Sequence, residues 1–144
     1  MGGLSLSPLL LDTHVFVWLL AGNERLGGQA RQAIEQAAEA DQLYLSAISP
    51  WEIAMLVSKG RLILEQDVGE WVEAALALPG IRLVPLLPKI SVASTRLPGS
   101  LHSDPADRII AATTRHLAAT LVTADGLLLN YGAAGHLKVL SAEQ

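Results

Sequence analysis

Five apolar runs of about four residues punctuate this chain: Pro8–Leu11, Leu43–Ser46, Ile81–Pro85, Thr120–Thr123 and Leu137–Leu140. Runs this short read as strands, and the continuously apolar Pro8–Leu11 as one that is buried. Helical segments fill the spaces between them. Thr13–Leu20 and about Glu24–Glu39 follow the first run. Ser49, as an N-cap before Pro50, opens a helix to Lys59, and another covers about Asp67–Leu78 before Pro79-Gly80. Pro88–Arg96 is a short helix, and Asp104-Pro105 starts one that runs to about His116. Strands alternating with helices imply right-handed βαβ units and a parallel sheet covered on both faces. Sheets of this kind bind ligands beyond the carboxyl ends of their strands. Asp12 ends the first run and Asp125 lies two residues past the fourth, so both fall where such a sheet carries its site.

A chain of 144 residues fits one domain and buries roughly 68–70% of its unfolded surface, enough for a core without staples. It has no cysteine, which excludes disulfides, thiolate metal sites and cysteine nucleophiles, and fits a reducing, cytoplasmic setting. Met1–Ser7 lacks the basic start of a signal peptide, and the apolar stretch Leu9–Ala21 is too short to cross a bilayer and is broken by Asp12, Thr13 and His14. A soluble protein with no membrane partner is expected. With 51% hydrophobic and 17% charged residues, some apolar surface is expected in an interface. The net charge of −4 argues against a general nucleic-acid coating protein, but not against a nuclease with an acidic, cation-filled cleft.

Each acid has a structural reading beside its chemical one. Asp12 can cap the following helix, although Thr13 serves equally well, and an acid between Leu9-Leu10-Leu11 and Val15-Phe16-Val17-Trp18 is costly unless paired or metal-bound. Glu52 completes a capping box with Ser49, yet its neighbours Trp51, Ile53, Met55 and Leu56 are apolar. Asp104 precedes Pro105 and reads as an N-cap. Asp107 stands three residues on, at the shoulder of the apolar stripe Ala106, Ile109, Ile110 and Thr113, where a helix N-terminus stabilises an acid in any case. Asp125, before Gly126, also reads as a turn residue. The four histidines show no zinc spacing, but His14 beside Asp12 and His102 beside Asp104 can support neighbouring carboxylates. Arg108 is a candidate phosphate contact or a surface ion pair.

The segments LLLDTHVFVWLLAG, ISPWEIAMLVSKGRL, DPADRIIAATTRHL and LVTADGLLL, in this order and spacing, resemble PIN-domain proteins, specifically the VapC-type toxins of toxin–antitoxin pairs. The likeness runs from about Leu9 to the end, and Met1–Ser7 is longer than the family usually has before its first acid. It implies a three-layer α/β/α sandwich with a central, mainly parallel sheet of four to five strands. It also implies an Mg²⁺- or Mn²⁺-dependent endoribonuclease, a homodimer, and a small antitoxin that binds over the active-site groove. By position the family's acids fall on Asp12, Glu52, Asp107 and Asp125, while Thr13 and Thr123 match hydroxyls placed beside the metal. Of the two acids in DPADR, Asp107 matches the catalytic position, leaving Asp104 as a cap or as support to the ligands.

Phosphodiester hydrolysis needs an activated water and a charge sink at the phosphoryl oxygens, and divalent cations supply both. Mg²⁺ and Mn²⁺ prefer hard oxygen donors, so an all-carboxylate set suits them. The expectation is that Asp12 and Asp107 bind the cation, with Glu52 and Asp125 completing the set or orienting water. Attack by water leaves a 5′-phosphate and does not use the ribose 2′-OH, so the preference for RNA rests on the resemblance, and a DNA-directed nuclease stays open. A haloacid-dehalogenase-like phosphatase would need D-x-D where Thr13-His14 follow Asp12, and a receiver domain would need Asp where Pro85-Leu86-Leu87-Pro88 stand. The remaining rival is a PIN-like domain that has lost catalysis and serves as an interaction module.

Overall fold

The computed structural model describes residues 7–144, so all of the Met1–Ser7 extension except Ser7 lies outside the described residues. Five strands form one sheet: β1 (Leu9–Leu11), β2 (Leu43–Ser46), β3 (Ile81–Val84), β4 (Thr120–Thr123) and β5 (Lys138–Ser141). Their order is β3-β2-β1-β4-β5 and every neighbouring pair is parallel. The central strand is the Leu9-Leu10-Leu11 run, with Leu10 between Tyr44 of β2 and Leu121 of β4. Side chains alternate across a strand, so neighbours face opposite layers. Leu9 and Leu11 join one core with Val15, Phe16, Ile34, Leu43, Leu45, Ile53 and Val122. Leu10 joins the other with Ile90, Ile110, Leu121, Leu128 and Tyr131.

Those two cores define the layers. Helices α1 (Thr13–Ala21), α2 (Gly28–Glu39), α3 (Ile48–Ser58) and α4 (Val68–Leu76) supply the first, and α5 (Pro88–Ser94), α6 (Pro105–His116) and α7 (Gly126–Ala133) the second. The α/β/α sandwich is as expected, with the sheet wholly parallel and five-stranded. Among the described residues no helix is long and apolar enough to cross a membrane.

Three local expectations need correction. Helix α2 starts at Gly28 rather than near Glu24, because Asn23 closes a turn in which its Oδ1 accepts from Arg25 N at 2.9 Å. The Gly27 and Gln29 amides donate instead to the carbonyls of Ala142 and Gln144, at 2.9 and 2.8 Å. The cap of α3 is Ala47, not Ser49, and it makes no side-chain hydrogen bond. Ser49 is buried inside the helix and turns its hydroxyl to Thr13, so the capping-box pattern with Glu52 does not form. Helix α7 was not anticipated. Its Leu127-Leu128-Leu129 run offers no helical stripe to read, and its start is fixed by Asp125, which accepts from the Leu127 and Leu128 amides at 2.7 and 3.2 Å.

Leu10 is fully buried at the middle of the sheet, whereas Ile63 is 89% exposed. Leu10→Ala is expected to cost roughly 2–5 kcal/mol through lost contacts and a cavity. Ile63→Ala should stay within about 0.5 kcal/mol. Urea unfolding at unchanged slope measures both.

Candidate metal centre

The order β3-β2-β1-β4-β5 places the switch in winding direction between β1 and β4, and the crevice there lies beyond their carboxyl ends. Asp12 follows β1, and its amide donates to Val122 O of β4 at 3.0 Å. As the N-cap of α1 it is only 5% exposed. One carboxylate oxygen accepts from Thr13 N at 2.8 Å and the other from Thr123 Oγ1 at 2.7 Å. Thr123 Oγ1 in turn accepts from the Asp125 amide at 3.0 Å. On the other side, Thr13 Oγ1 shares a 2.9 Å hydrogen bond with Ser49 Oγ and donates to Glu52 Oε1. One continuous network therefore runs from Asp125 through Thr123, Asp12 and Thr13 to Glu52. Thr13 and Thr123, matched to the site by resemblance, are its buried connectors.

Asp107 enters from the first turn of α6, whose cap Asp104 accepts from the Asp107 amide at 2.9 Å. Its Oδ2 lies 2.6 Å from His102 Nε2. The division between a capping Asp104 and an inward Asp107 follows the sequence reading. Arg108 forms no ion pair among the described residues: its guanidinium donates to the carbonyls of Ser94 and Leu101, both at 2.8 Å, and so clamps the segment between α5 and α6. His14 is exposed. Among the described residues, the donors that approach within 4.8 Å of one another as a trio are His102, Asp104 and Asp107. Asp12, Glu52 and Asp125 are not part of that trio but lie near enough for their charges to act on one another or on Asp107.

These acids are electrically coupled. Burial raises the Asp12 carboxyl above its ordinary range, hydrogen bonds from Thr123 and Thr13 oppose the shift, and the Asp125 charge adds to it. Burial also raises Glu52, against the Thr13 hydroxyl and with help from the charges of Asp12, Asp107 and Asp104. Asp107 is pushed up to about 6, mainly by burial, with the His102 hydrogen bond opposing and Asp12, Asp104 and Asp125 reinforcing. No Lys or Arg among the described residues forms an ion pair with any of these acids. Buried like charges without a counter-cation are costly, and hard oxygen donors of this kind fit Mg²⁺ or Mn²⁺. A surface depression of about 700 Å³ between α5 and α6 is lined by none of them.

The family model described as the PIN domain matches residues 9–133. This chain belongs to the PIN-domain family. Ribonuclease VapC22 of Mycobacterium tuberculosis is 36% identical over 126 residues, covering 88% of this PIN domain chain and 93% of that one, which places it among the VapC-type members. The fold also resembles VapBC2 from Rickettsia felis bound to a DNA fragment from their promoter (TM-score 0.67, 17% identity, 92% and 97% of the two chains). FitAcB from Neisseria gonorrhoeae is similar as well (TM-score 0.64, 24% identity, 93% and 97% of the two chains). At those identities the likeness is one of fold.

A folded pKa of about 6 against an ordinary 3.8 means that the native PIN domain holds the Asp107 proton to higher pH than the unfolded chain does. Without metal, the Asp107 contribution to stability therefore falls as pH rises from about 4 to about 6. Asp107→Asn cannot titrate, so in EDTA its stability relative to wild type should climb across that window and level off above it. Urea midpoints of both proteins at pH 4, 5, 6 and 7 test this, and a pH-independent difference would contradict it.

Proposed function

We propose that this PIN domain is a divalent-metal-dependent endoribonuclease, and that it acts in the cytoplasm as the toxin of a toxin–antitoxin pair. The observation that carries the reading is a set of mutually repelling carboxylates at the β1/β4 switch point, Asp12 buried and Glu52, Asp107 and Asp125 half-buried, with no Lys or Arg among the described residues paired to them. Asp12 and Asp107 would hold the cation, with Glu52 and Asp125 completing the set. A bound divalent cation supplies Lewis acidity at the phosphoryl oxygens and lowers the pKa of water. The chain's own residues do the rest. Thr13 and Thr123 fix the rotamers of Glu52 and Asp12 by neutral hydrogen bonds. A carboxylate of this set accepts the proton of the attacking water. Asp104 fixes the start of α6, on which Asp107 rides.

RNA as the substrate is supported by the 36% identical ribonuclease. An interaction module without activity would not need four acids to keep an unbalanced charge. Partner surfaces fit the same reading. A groove of about 330 Å³ between α1, α3 and α4 opens beside Thr13 and His14, with Trp18, Leu56 and Trp71 in its walls and the exposed Ile63 at its rim. It is a seat for an apolar antitoxin segment next to the acids, and one of the similar folds is by name a toxin–antitoxin complex, from Klebsiella pneumoniae. The edge strand β3 and helix α5 leave Leu83, Leu86, Leu87 and Val92 exposed, an apolar face for a second copy in a homodimer.

Incubating the protein with an RNA pool and a matched DNA pool tests the function, with Mg²⁺, Mn²⁺ or EDTA present. RNA cleavage with divalent metal, 5′-phosphate ends and none in EDTA is expected. Asp12→Asn and Asp107→Asn should each reduce it at least about 100-fold, the upper end seen for residues merely adjacent to metal ligands. Cyclic 2′,3′-phosphate ends, activity in EDTA, or cleavage confined to DNA would each overturn the proposal. In the absence of RNA, Mg²⁺ at about a hundred times its Kd should add roughly 2.7 kcal/mol to stability.

A further inference from the structure

His102 stands between Arg108 and Asp107, and its ring is used unevenly. Nε2 lies 2.6 Å from Asp107 Oδ2, while Nδ1 is buried and meets no hydrogen-bond partner among the described residues. A carboxylate can only accept, so at neutral pH the ring nitrogen facing Asp107 carries the hydrogen. In the neutral ring Nδ1 is then a bare acceptor, shut away from water. A desolvated acceptor with no partner costs stability. A histidine kept only to pack this loop would have both nitrogens satisfied or exposed.

The surroundings hold the ring in this state. Arg108 donates to Leu101 O at 2.8 Å and His102 O at 3.4 Å, and to Ser94 O on the other flank, so the backbone bearing His102 is fixed from within α6. Gly99, upstream in the same loop, has φ +67, a backbone conformation that favours glycine. Asp104 Oδ2 accepts from the Asp107 amide, and the His102 ring bonds to Asp107 rather than to Asp104. One turn of α6 thus supplies the acid, and Arg108 on the same turn supplies the clamp for the group that orients it.

We propose that His102 is a positioning residue for the cation: its Nε2–H holds Asp107 Oδ2, fixing the carboxylate and leaving Oδ1 for the metal. The inference rests on the metal-nuclease reading above. Groups that orient a metal ligand typically contribute about 10–100-fold to metal affinity or activity. His102→Leu removes the donor and the stranded acceptor together. His102→Gln keeps an amide N–H at similar reach and removes only the ring.

Mn²⁺ titration of each protein without RNA, followed by melting temperature, is the first readout, and kcat and KM on a cleaved RNA are the second. His102→Leu is expected to need about tenfold or more Mn²⁺ for the half-maximal shift, and to lose kcat with little change in KM. Its metal-free melting temperature should equal or exceed wild type, which separates the loss from unfolding. His102→Gln should recover most of both. A wild-type Mn²⁺ midpoint in His102→Leu, or a His102→Gln as impaired as His102→Leu, overturns this role while leaving the metal centre standing. A wild type that shows no Mn²⁺ response, together with an Asp12→Asn that cleaves normally, overturns the metal-nuclease reading and this role with it.

Discussion

A carboxylate carried into the interior by an apolar strand is the constraint around which this molecule is arranged. Leu9, Leu10 and Leu11 must be buried on both faces, and β1 can satisfy that only at the centre of the sheet, between β2 and β4. The next residue is Asp12, which therefore emerges at the bottom of the switch crevice, 5% exposed. Everything near it answers that burial. Two threonine positions and a helix start supply hydrogen-bond donors, and among the described residues no Lys or Arg pairs with it, His14 alone opposing the rise in its pKa by charge.

The frame was legible because its signals are local and redundant. Short apolar runs, the Asp104-Pro105 cap and the Pro79-Gly80 stop each fix one boundary, and the parallel sheet follows from their alternation. Thr120–Thr123 and α6 stand where the sequence put them. Helix α7 escaped because Gly126 and three consecutive leucines carry neither a helical stripe nor strand alternation, and its cap acts through a side chain read as part of a turn. The start of α2 escaped for a different reason. The Gly27 amide is tied to the chain end more than a hundred residues away, and no local pattern encodes such a tie.

The site divides in the same way. Asp12 and Asp125 stand at strand ends, where such a sheet carries its site, whereas Asp107 is singled out in the sequence only by its company with the other acids and by the family resemblance. Glu52 could not be read from its position, because Ser49-Pro50-Trp51-Glu52 satisfies the capping-box pattern completely. Only the packing of α3 against α1 diverts Ser49 and Glu52 toward Thr13. Arg108 shows a further limit. A guanidinium next to an acid suggests phosphate or an ion pair, whereas here it serves backbone carbonyls whose location no sequence spacing reveals. His102 was visible as a neighbour of Asp104, but its partner is Asp107, which depends on the loop's path past Gly99.

The choice of neutral donors around the acids connects stability to chemistry. Hydroxyls and amides orient Asp12 and Asp125 without cancelling their charge, and the N-termini of α1, α6 and α7 converge on the same crevice with partial positive ends. These dipoles soften the repulsion but are too weak to replace a whole cation. A fixed positive charge paired with Asp12 would ease the repulsion in the metal-free fold, and it would also remove the attraction for a divalent ion. Oriented yet unbalanced carboxylates are the arrangement in which a cation binds tightly and a phosphate is still drawn to the helix ends. Burial and mutual repulsion raise the Asp12, Glu52 and Asp107 carboxyls, and a bound cation would favour their charged forms again.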